Sequence, residues 1–336
     1  VKPFTYLQAN DVPSALRAIS STPDARFIGG GTNLVDLMKY GVEQPAHLID
    51  IGKLPLADIE PLPGGGIRIG ALARNSDMAN HLLIRQNAPL LAEAIVAGAS
   101  PQLRNAATAG GNLMQRTRCY YFYDTGFTQC NKRIPGSGCA ARDGLNRIHA
   151  ILGASDKCIA TNPSDMSVAL AAIGAIVQVQ GMGGPRSIPF ADFHRLPGET
   201  PQLDTNLNKH ELITAIDLPG FSGALNYCYL KVRDRRSYAF ALVSVAAMID
   251  VRAGKIRDAR FALGGVAPKP WRVPAAERQL IGKEPGPAAY LDAAGVALTG
   301  ARTFPHNAFK VELARRSIVR ALTIAAARGE GNGNLG

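Results

Sequence analysis

An α+β fold in two packed parts is predicted by three features of the sequence. The chain has 336 residues, more than one average domain. Hydrophobic residues make up 46% and charged residues 19%, enough apolar side chain to bury a sizeable core and too little charge for a disordered chain. The third feature is the order of segments: a small βαβ-like unit, a mixed middle, then long strands followed by helices, as in an α+β domain.

Apolar spacing predicts a first helix over residues 13–19, a strand over 26–28, a glycine turn over 29–33, a helix through Leu34, Leu37 and Met38, and a strand over 47–51. Residues 61–66 read as a turn or linker, and Ile67-Arg68-Ile69 opens a second unit with helices around 78–84 and 90–99. From 116 to 156, Gly, Pro, Asn and Asp interrupt every periodic run. A structureless loop of that length inside a compact domain needs something to tie it down. A helix near 164–172 and strands over 176–180 and 212–218 follow, and residues 219–223 mark a boundary. Beyond it, strands are predicted over 227–233, 243–251 and 255–263, and a final helix near 307–327. No internal repeat or heptad pattern appears.

Composition narrows the function classes. No run approaches the roughly 20 apolar residues that cross a bilayer, so no membrane span is expected. The first residues, Val1-Lys2-Pro3-Phe4-Thr5-Tyr6, lack an apolar run of signal-peptide length, and no export signal is expected on this chain. The 37 Lys and Arg against 26 Asp and Glu give a net charge of +11. These basic residues are dispersed, apart from an excess between 104 and 157 and the group Lys231, Arg233, Arg235 and Arg236. No nucleic-acid-binding signature accompanies them, so cofactor phosphates or acidic partner subunits account for the charge, and nucleic acid is not an expected partner.

Three motifs carry chemistry. In Phe27-Ile28-Gly29-Gly30-Gly31-Thr32-Asn33-Leu34 a strand runs into glycines and then a helix, letting backbone N–H groups approach a phosphate without Cβ interference. It matches neither the Rossmann nor the P-loop spacing, and a plain turn is the competing reading. In Asn105-Ala106-Ala107-Thr108-Ala109-Gly110-Gly111-Asn112-Leu113 small residues and hydroxyls again permit close backbone approach, or simply a tight turn between packed elements. The third motif is the set Cys119, Cys130, Cys139 and Cys158, spaced C-x10-C-x8-C-x18-C. These gaps exceed the paired spacing of zinc sites, and soft thiolates without paired histidines favour an iron–sulfur cluster, with zinc, or disulfides or unpaired thiols, as alternatives. Arg116, Arg118, Lys132, Arg133, Arg142 and Lys157 lie around them and could offset thiolate charge. His149 reads as a structural histidine rather than a fifth ligand, and the isolated Cys228 as a small buried hydrophobe. No acid–base pair or nucleophile–base arrangement appears, so no catalytic residue is assigned.

Taken together, residues 27–34, 108–112, Asn162-Pro163-Ser164-Asp165, Lys231 with 233–240, and Gly264-Gly265-Val266-Ala267 occur in the order that resembles the FAD-binding subunit of the molybdenum hydroxylases, the family of xanthine dehydrogenase and carbon monoxide dehydrogenase. The words around the four cysteines are most similar to the FAD subunits of the bacterial periplasmic aldehyde oxidoreductase group, which also hold a 4Fe–4S cluster. The resemblance implies a two-part FAD-binding domain of the PCMH (vanillyl-alcohol-oxidase-like) type over 1–222, with subdomains about 1–55 and 56–222 and a cluster-binding insertion about 116–160. A smaller α+β domain like the CO dehydrogenase flavoprotein C-terminal domain follows over 223–330.

The same resemblance implies that FAD is held by Arg26, Phe27, Ile28, Gly29, Gly30, Gly31, Thr32, Asn33 and Leu34 and by Thr108, Gly110, Gly111 and Asn112. Asp165 would bind FAD hydroxyls, Ile213 would contact it through backbone, and Lys231 would lie near the flavin and favour its reduced form by charge. Cys119, Cys130, Cys139 and Cys158 would ligate the 4Fe–4S cluster. The implied partners are a large subunit with the molybdenum cofactor, which oxidises an aldehyde to a carboxylic acid, a small subunit with two 2Fe–2S clusters, and an external electron acceptor. NAD is not expected. The implied location is the periplasm, by co-export with a signal-bearing partner, with the cytoplasm as the alternative. The other readings are the FAD subunit of a molybdenum hydroxylase for an aromatic acyl-CoA or N-heterocycle, and a non-catalytic zinc-stabilised binding protein.

Overall fold

Short strands punctuated by glycine and proline assemble into three sheets. The computed structural model describes residues 1–220 and 226–330. The domain boundary expected at 222/223 lies outside the described residues.

The first sheet is parallel, with β1 (Thr5–Gln8) and β2 (Ala25–Ile28) flanking β3 (His47–Asp50). Helix α1 (Val12–Ser21) connects β1 to β2. It starts at Asp11, whose carboxylate accepts from the Ser14 backbone N–H, and it buries Ala15, Leu16 and Ile19 beside Ile49. Helix α2 (Leu34–Lys39) connects β2 to β3. Strand β1 has no periodic signature because Thr5, Tyr6 and Leu7 are all exposed, so pairing with β3 defines it rather than burial.

The second sheet is antiparallel, in the order β4 (Ile59–Pro61), β5 (Ile67–Gly70), β8 (Leu212–Leu218), β6 (Ile176–Gly181), β7 (Gly184–Pro189). Between β5 and β6 the chain forms α3 (Asn75–Asn80), α4 (Leu82–Asn87), α5 (Pro89–Ala97), α6 (Pro101–Ala106), α7 (Ala109–Leu113), α8 (Tyr120–Tyr123) and α9 (Asp165–Ile173). The single helix expected over 78–84 is two, because His81 takes an extended conformation (φ −67°, ψ 131°) and breaks the hydrogen-bond ladder. Residues 108–112 form a short helix rather than a turn, because the Thr108 hydroxyl caps the Gly111 N–H. Helix α9 is buried along its whole length, capped by Ser164 and closed by Gly174 at φ 82°. A short α10 (Phe190–Phe193) follows β7.

The third sheet is also antiparallel, with β9 (Asn226–Val232), β10 (Val243–Arg252), β11 (Lys255–Gly264) and β12 (Trp271–Arg272) in the order β12-β11-β10-β9. After α11 (Pro274–Arg278) and α12 (Pro287–Ala297), α13 (Phe309–Glu330) packs across β9 and β10. Helix α9 covers the opposite side of β10 and β11. Ala246 and Met248 of β10 therefore enter the core of the second unit, while Val245, Ala247 and Ile249 enter the core under α13. The alternation of one strand joins the two cores. Among the described residues no helix is long and apolar enough to cross a membrane.

The segment between α7 and α9 carries the cysteines. Its last part is woven into the C-terminal unit: Ile151 and Leu152 are buried in that core, and both of their N–H groups donate to the Val266 carbonyl. The start of the segment is tied by charge. Arg116 pairs with Glu43 at 2.6 Å and with Asp204 at 2.8 Å, and the buried Lys132 ammonium also bonds Asp204. Burial pushes the Asp204 carboxyl up, but Lys132 and Arg116 overcome that and hold it below the ordinary carboxylate value of 3.8.

Removing this charge leaves the buried Lys132 ammonium without a carboxylate and Arg116 with Glu43 alone, so Asp204→Asn is expected to lower stability at neutral pH by about 3 kcal/mol. A group with a depressed folded pKa contributes fully above its unfolded pKa and loses that contribution as pH falls through the folded value. Urea unfolding should therefore show the gap between wild type and variant closing below about pH 4.

Candidate functional site

Strand β2 delivers the chain to Gly29 and Gly30 directly against the junction of α6 and α7. A Cβ on Gly30 would lie 1.9 Å from the Ala106 carbonyl oxygen, so only glycine permits this approach. Gly29 abuts the Thr108 hydroxyl, and Gly31 turns the chain at φ 68°. Two loops far apart in sequence thereby form one wall.

That wall borders a cleft of about 280 Å3. Six of the sixteen FAD residues named from sequence line it: Thr32, Asn33, Gly111, Asn112, Asp165 and Lys231. Arg26, Phe27 and Ile28 lie in β2 behind it, Gly29, Gly30 and Gly31 shape the turn, Leu34 opens α2, Thr108 and Gly110 belong to the capped α7, and Ile213 sits in β8 against Gly110. The cleft also takes in Asn75, Arg104, Gln115, Arg118, Ser164, Tyr238 and Phe240, which sequence reasoning did not assign to it. Asn75 Oδ1 and Arg118 Nε are buried there without a hydrogen-bond partner among the described residues. A buried polar atom left unpaired is costly, so these two fit a polar ligand that completes them. Neither carries a local sequence signal, because both are aimed at the cleft by long-range packing.

The floor of the cleft is ionic. Lys231 Nζ lies 2.7 Å from Asp165 Oδ2 and 3.1 Å from the Ala97 carbonyl, and the Tyr229 hydroxyl donates to Asp165 Oδ1 at 2.6 Å. Burial and the adjacent carboxylate push the Tyr229 hydroxyl well above its ordinary value. Asp165 and Lys231, expected to act separately on hydroxyls and on a reduced flavin, are bound to each other, so this floor is close to neutral.

A second constellation lies behind the glycine wall. Cys119, Cys130, Cys139 and Cys158 share one apolar cluster with Leu37 of α2, Phe122 and Ile159. All four are free thiols; Cys139 is partly exposed and the others are buried. Cys130 and Cys139 are paired by an isolated antiparallel bridge. Burial, reinforced by the neighbouring cysteines, pushes the Cys119 thiol up to about 12 and, opposed by Lys132, the Cys158 thiol up to about 11. The Ala160 N–H points at Cys158 Sγ at 3.5 Å, and His149 Nε2 lies 3.1 Å from Cys119 Sγ. Among the described residues no three His, Cys, Asp or Glu side chains close around a single metal ion.

The basic residues expected to offset thiolate charge are mostly engaged elsewhere. Arg118 pairs with Asp36, Arg142 with Asp156 and Lys157 with Glu199. Arg133 donates to the carbonyls of Tyr121, Phe122, Asp124 and Phe127, shaping the loop. Lys132 is the one whose charge favours a thiolate, at Cys158. The two constellations touch through Asn33, whose amide donates to the Tyr123 hydroxyl at 3.2 Å while its carbonyl accepts the Arg116 N–H at 2.8 Å.

Breaking the floor pair strands an ammonium group whose side chain is only 5% exposed. Asp165→Asn is expected to cost about 3 kcal/mol, and the double variant Asp165→Leu with Lys231→Met to recover most of that, since two apolar chains leave no buried charge. Denaturant midpoints of the three proteins check this.

Comparison with known proteins identifies the lineage. A family described as the FAD binding domain in molybdopterin dehydrogenase matches residues 2–221, and the CO dehydrogenase flavoprotein C-terminal domain matches residues 228–325. The chain is 49% identical over 329 residues to the aldehyde oxidoreductase FAD-binding subunit PaoB of Escherichia coli, covering 98% of this chain and 100% of that one. It is 28% identical over 281 residues to the glyceraldehyde dehydrogenase medium chain of Sulfolobus acidocaldarius, covering 84% and 82%. Its fold matches carbon monoxide dehydrogenase from Hydrogenophaga pseudoflava with a TM-score of 0.76 at 26% identity, over 97% of this chain and 98% of that one. With the glycine wall and its polar cleft, these matches show that the chain belongs to the FAD-binding subunits of the molybdenum hydroxylase family of oxidoreductases.

Proposed function

We propose that this chain is the FAD- and 4Fe–4S-binding electron-transfer subunit of a heterotrimeric molybdenum-dependent aldehyde oxidoreductase. In that assembly an aldehyde and water become a carboxylic acid on a large subunit that holds the molybdenum cofactor, releasing two electrons and two protons. A small subunit with two 2Fe–2S clusters carries the electrons to this chain, which delivers them to an external acceptor. The assembly works in the periplasm, exported with a signal-bearing partner. The aldehyde reading rests on the 49% identity to an aldehyde oxidoreductase FAD-binding subunit.

FAD, when bound, supplies the exchange between one-electron and two-electron carriers. This chain's residues position it. The glycine wall admits a pyrophosphate-sized group against Gly111 and Asn112, while Asn75 and Arg118 offer unpaired polar atoms from the sides. The near-neutral Asp165–Lys231 floor orients hydroxyls or ring atoms without adding a net charge.

The observation that carries the second cofactor is the meeting of four free cysteines from a loop-rich segment in one buried cluster. Tetrahedral zinc with Zn–S bonds near 2.3 Å needs sulfurs only about 3.8 Å apart. Four thiols in one buried cluster, with Cys158 and Cys130 near enough to raise Cys119, suit an iron–sulfur core held by four cysteines. Cys119 and Cys158, whose burial keeps them protonated, would lose their protons to solvent on binding iron, so cluster assembly would release protons.

Anaerobically purified complex should contain flavin, iron and acid-labile sulfide on this subunit; zinc in place of iron would overturn the cluster reading. Cys139→Ser should remove one cluster's content of iron and sulfide and keep most of the flavin. Gly30→Ala should lower flavin content at least tenfold, because its methyl group forces the wall apart, whereas Gly295→Ala, which meets nothing within 4 Å, should retain full flavin. Bound-flavin absorbance reads both substitutions.

A further inference from the structure

His149 has no part in the cofactor cleft, yet its surroundings fix it closely. It is 1% exposed, and its Nε2 lies 3.1 Å from Cys119 Sγ. The backbone on either side is pinned. The His149 carbonyl accepts from Lys310 Nζ at 2.8 Å, and the Ala150 N–H donates to the Ile159 carbonyl at 2.8 Å. The fully buried Asn146 donates to the carbonyls of Ala141, Arg142 and Gly144, and its Oδ1 accepts the His306 N–H. The ring also stands beside Tyr121, with centroids 6.2 Å apart.

Its Nδ1 is buried without a partner among the described residues, and such an atom is costly to bury. A ring kept only to fill space would be better served by phenylalanine. A metal-bound thiolate accepts hydrogen bonds and cannot donate them, which places the proton on Nε2 and leaves the lone pair on Nδ1. We propose that His149 is a positioning residue of the cysteine site: its Nε2–H donates to Cys119 Sγ and raises the reduction potential of the iron–sulfur cluster bound there. The proposal rests on the cluster reading above. A hydrogen bond to a ligating sulfur draws electron density from it and favours the form carrying one more electron. Because Lys310 belongs to α13, the C-terminal unit sets the position of this bond.

The test is a mediated redox titration of the cluster EPR signal in the full complex. His149→Phe should lower the equilibrium constant for one-electron reduction about tenfold, a shift of about 59 mV to more negative potential. His149→Gln, which restores an N–H donor, should recover most of it, and the flavin potential should not move. A second measurement uses the wild-type complex alone. Pulsed EPR of the reduced cluster in protein labelled with 15N-histidine should show coupling to one histidine nitrogen, and its absence overturns the proposal even if the variants fail to fold. Iron and sulfide present with an unchanged potential in His149→Phe overturn the hydrogen bond and leave the cluster reading standing. Iron and sulfide in the wild type that do not exceed the content of the partner's two 2Fe–2S clusters overturn both.

Discussion

The contact on which the rest depends is the close approach of Gly30 to the Ala106 carbonyl, where a single methyl group would fall within 2 Å of oxygen. It brings the end of β2 against the junction of α6 and α7, so two segments separated by a whole helical layer become one wall. Thr108 reinforces that wall twice, capping α7 with its hydroxyl and packing the same atom against Gly29. From the far side of the wall Asn33 reaches back to Arg116 and Tyr123, which makes the turn the common support of the cleft and of the cysteine segment.

The cysteine segment consequently does not behave as an insertion hung from the surface. Its start is held by the Arg116–Asp204–Lys132 network and its end by Val266, Asn307 and Lys310 of the C-terminal unit. The split of β10 between two hydrophobic cores makes those anchors mutually rigid, because packed cores transmit displacement rather than absorb it.

Many of the arginines have a structural use within the fold. Guanidinium groups act largely as internal clamps: Arg133 gathers four carbonyls, Arg272 binds Glu277 and the Ala171 carbonyl, and Arg68 pairs with Asp217. Five fixed donors on a planar group suit this use better than a lysine does. Only a few cations, Lys132 and Arg118 among them, keep an influence on the two functional constellations.

Much of this was readable from the chain itself. The long strands β10 and β11, the capped helix α9 and the glycine turn after β2 announce themselves through apolar period, Ser164 and Gly29–Gly30–Gly31, all local signals set by backbone sterics and burial. The crowding of four cysteines into a loop that cannot support itself likewise follows from spacing alone. The exposed strand β1, the break at His81, the mutual neutralisation of Asp165 and Lys231, the unpartnered Asn75 Oδ1 and Arg118 Nε, and the seat of His149 beside Cys119 are tertiary facts. Each depends on which distant segment arrives opposite, and a residue's neighbours along the chain do not encode that arrival. Sequence thus determined which chemistry the chain carries, and packing decided which of those groups face a ligand and which face one another.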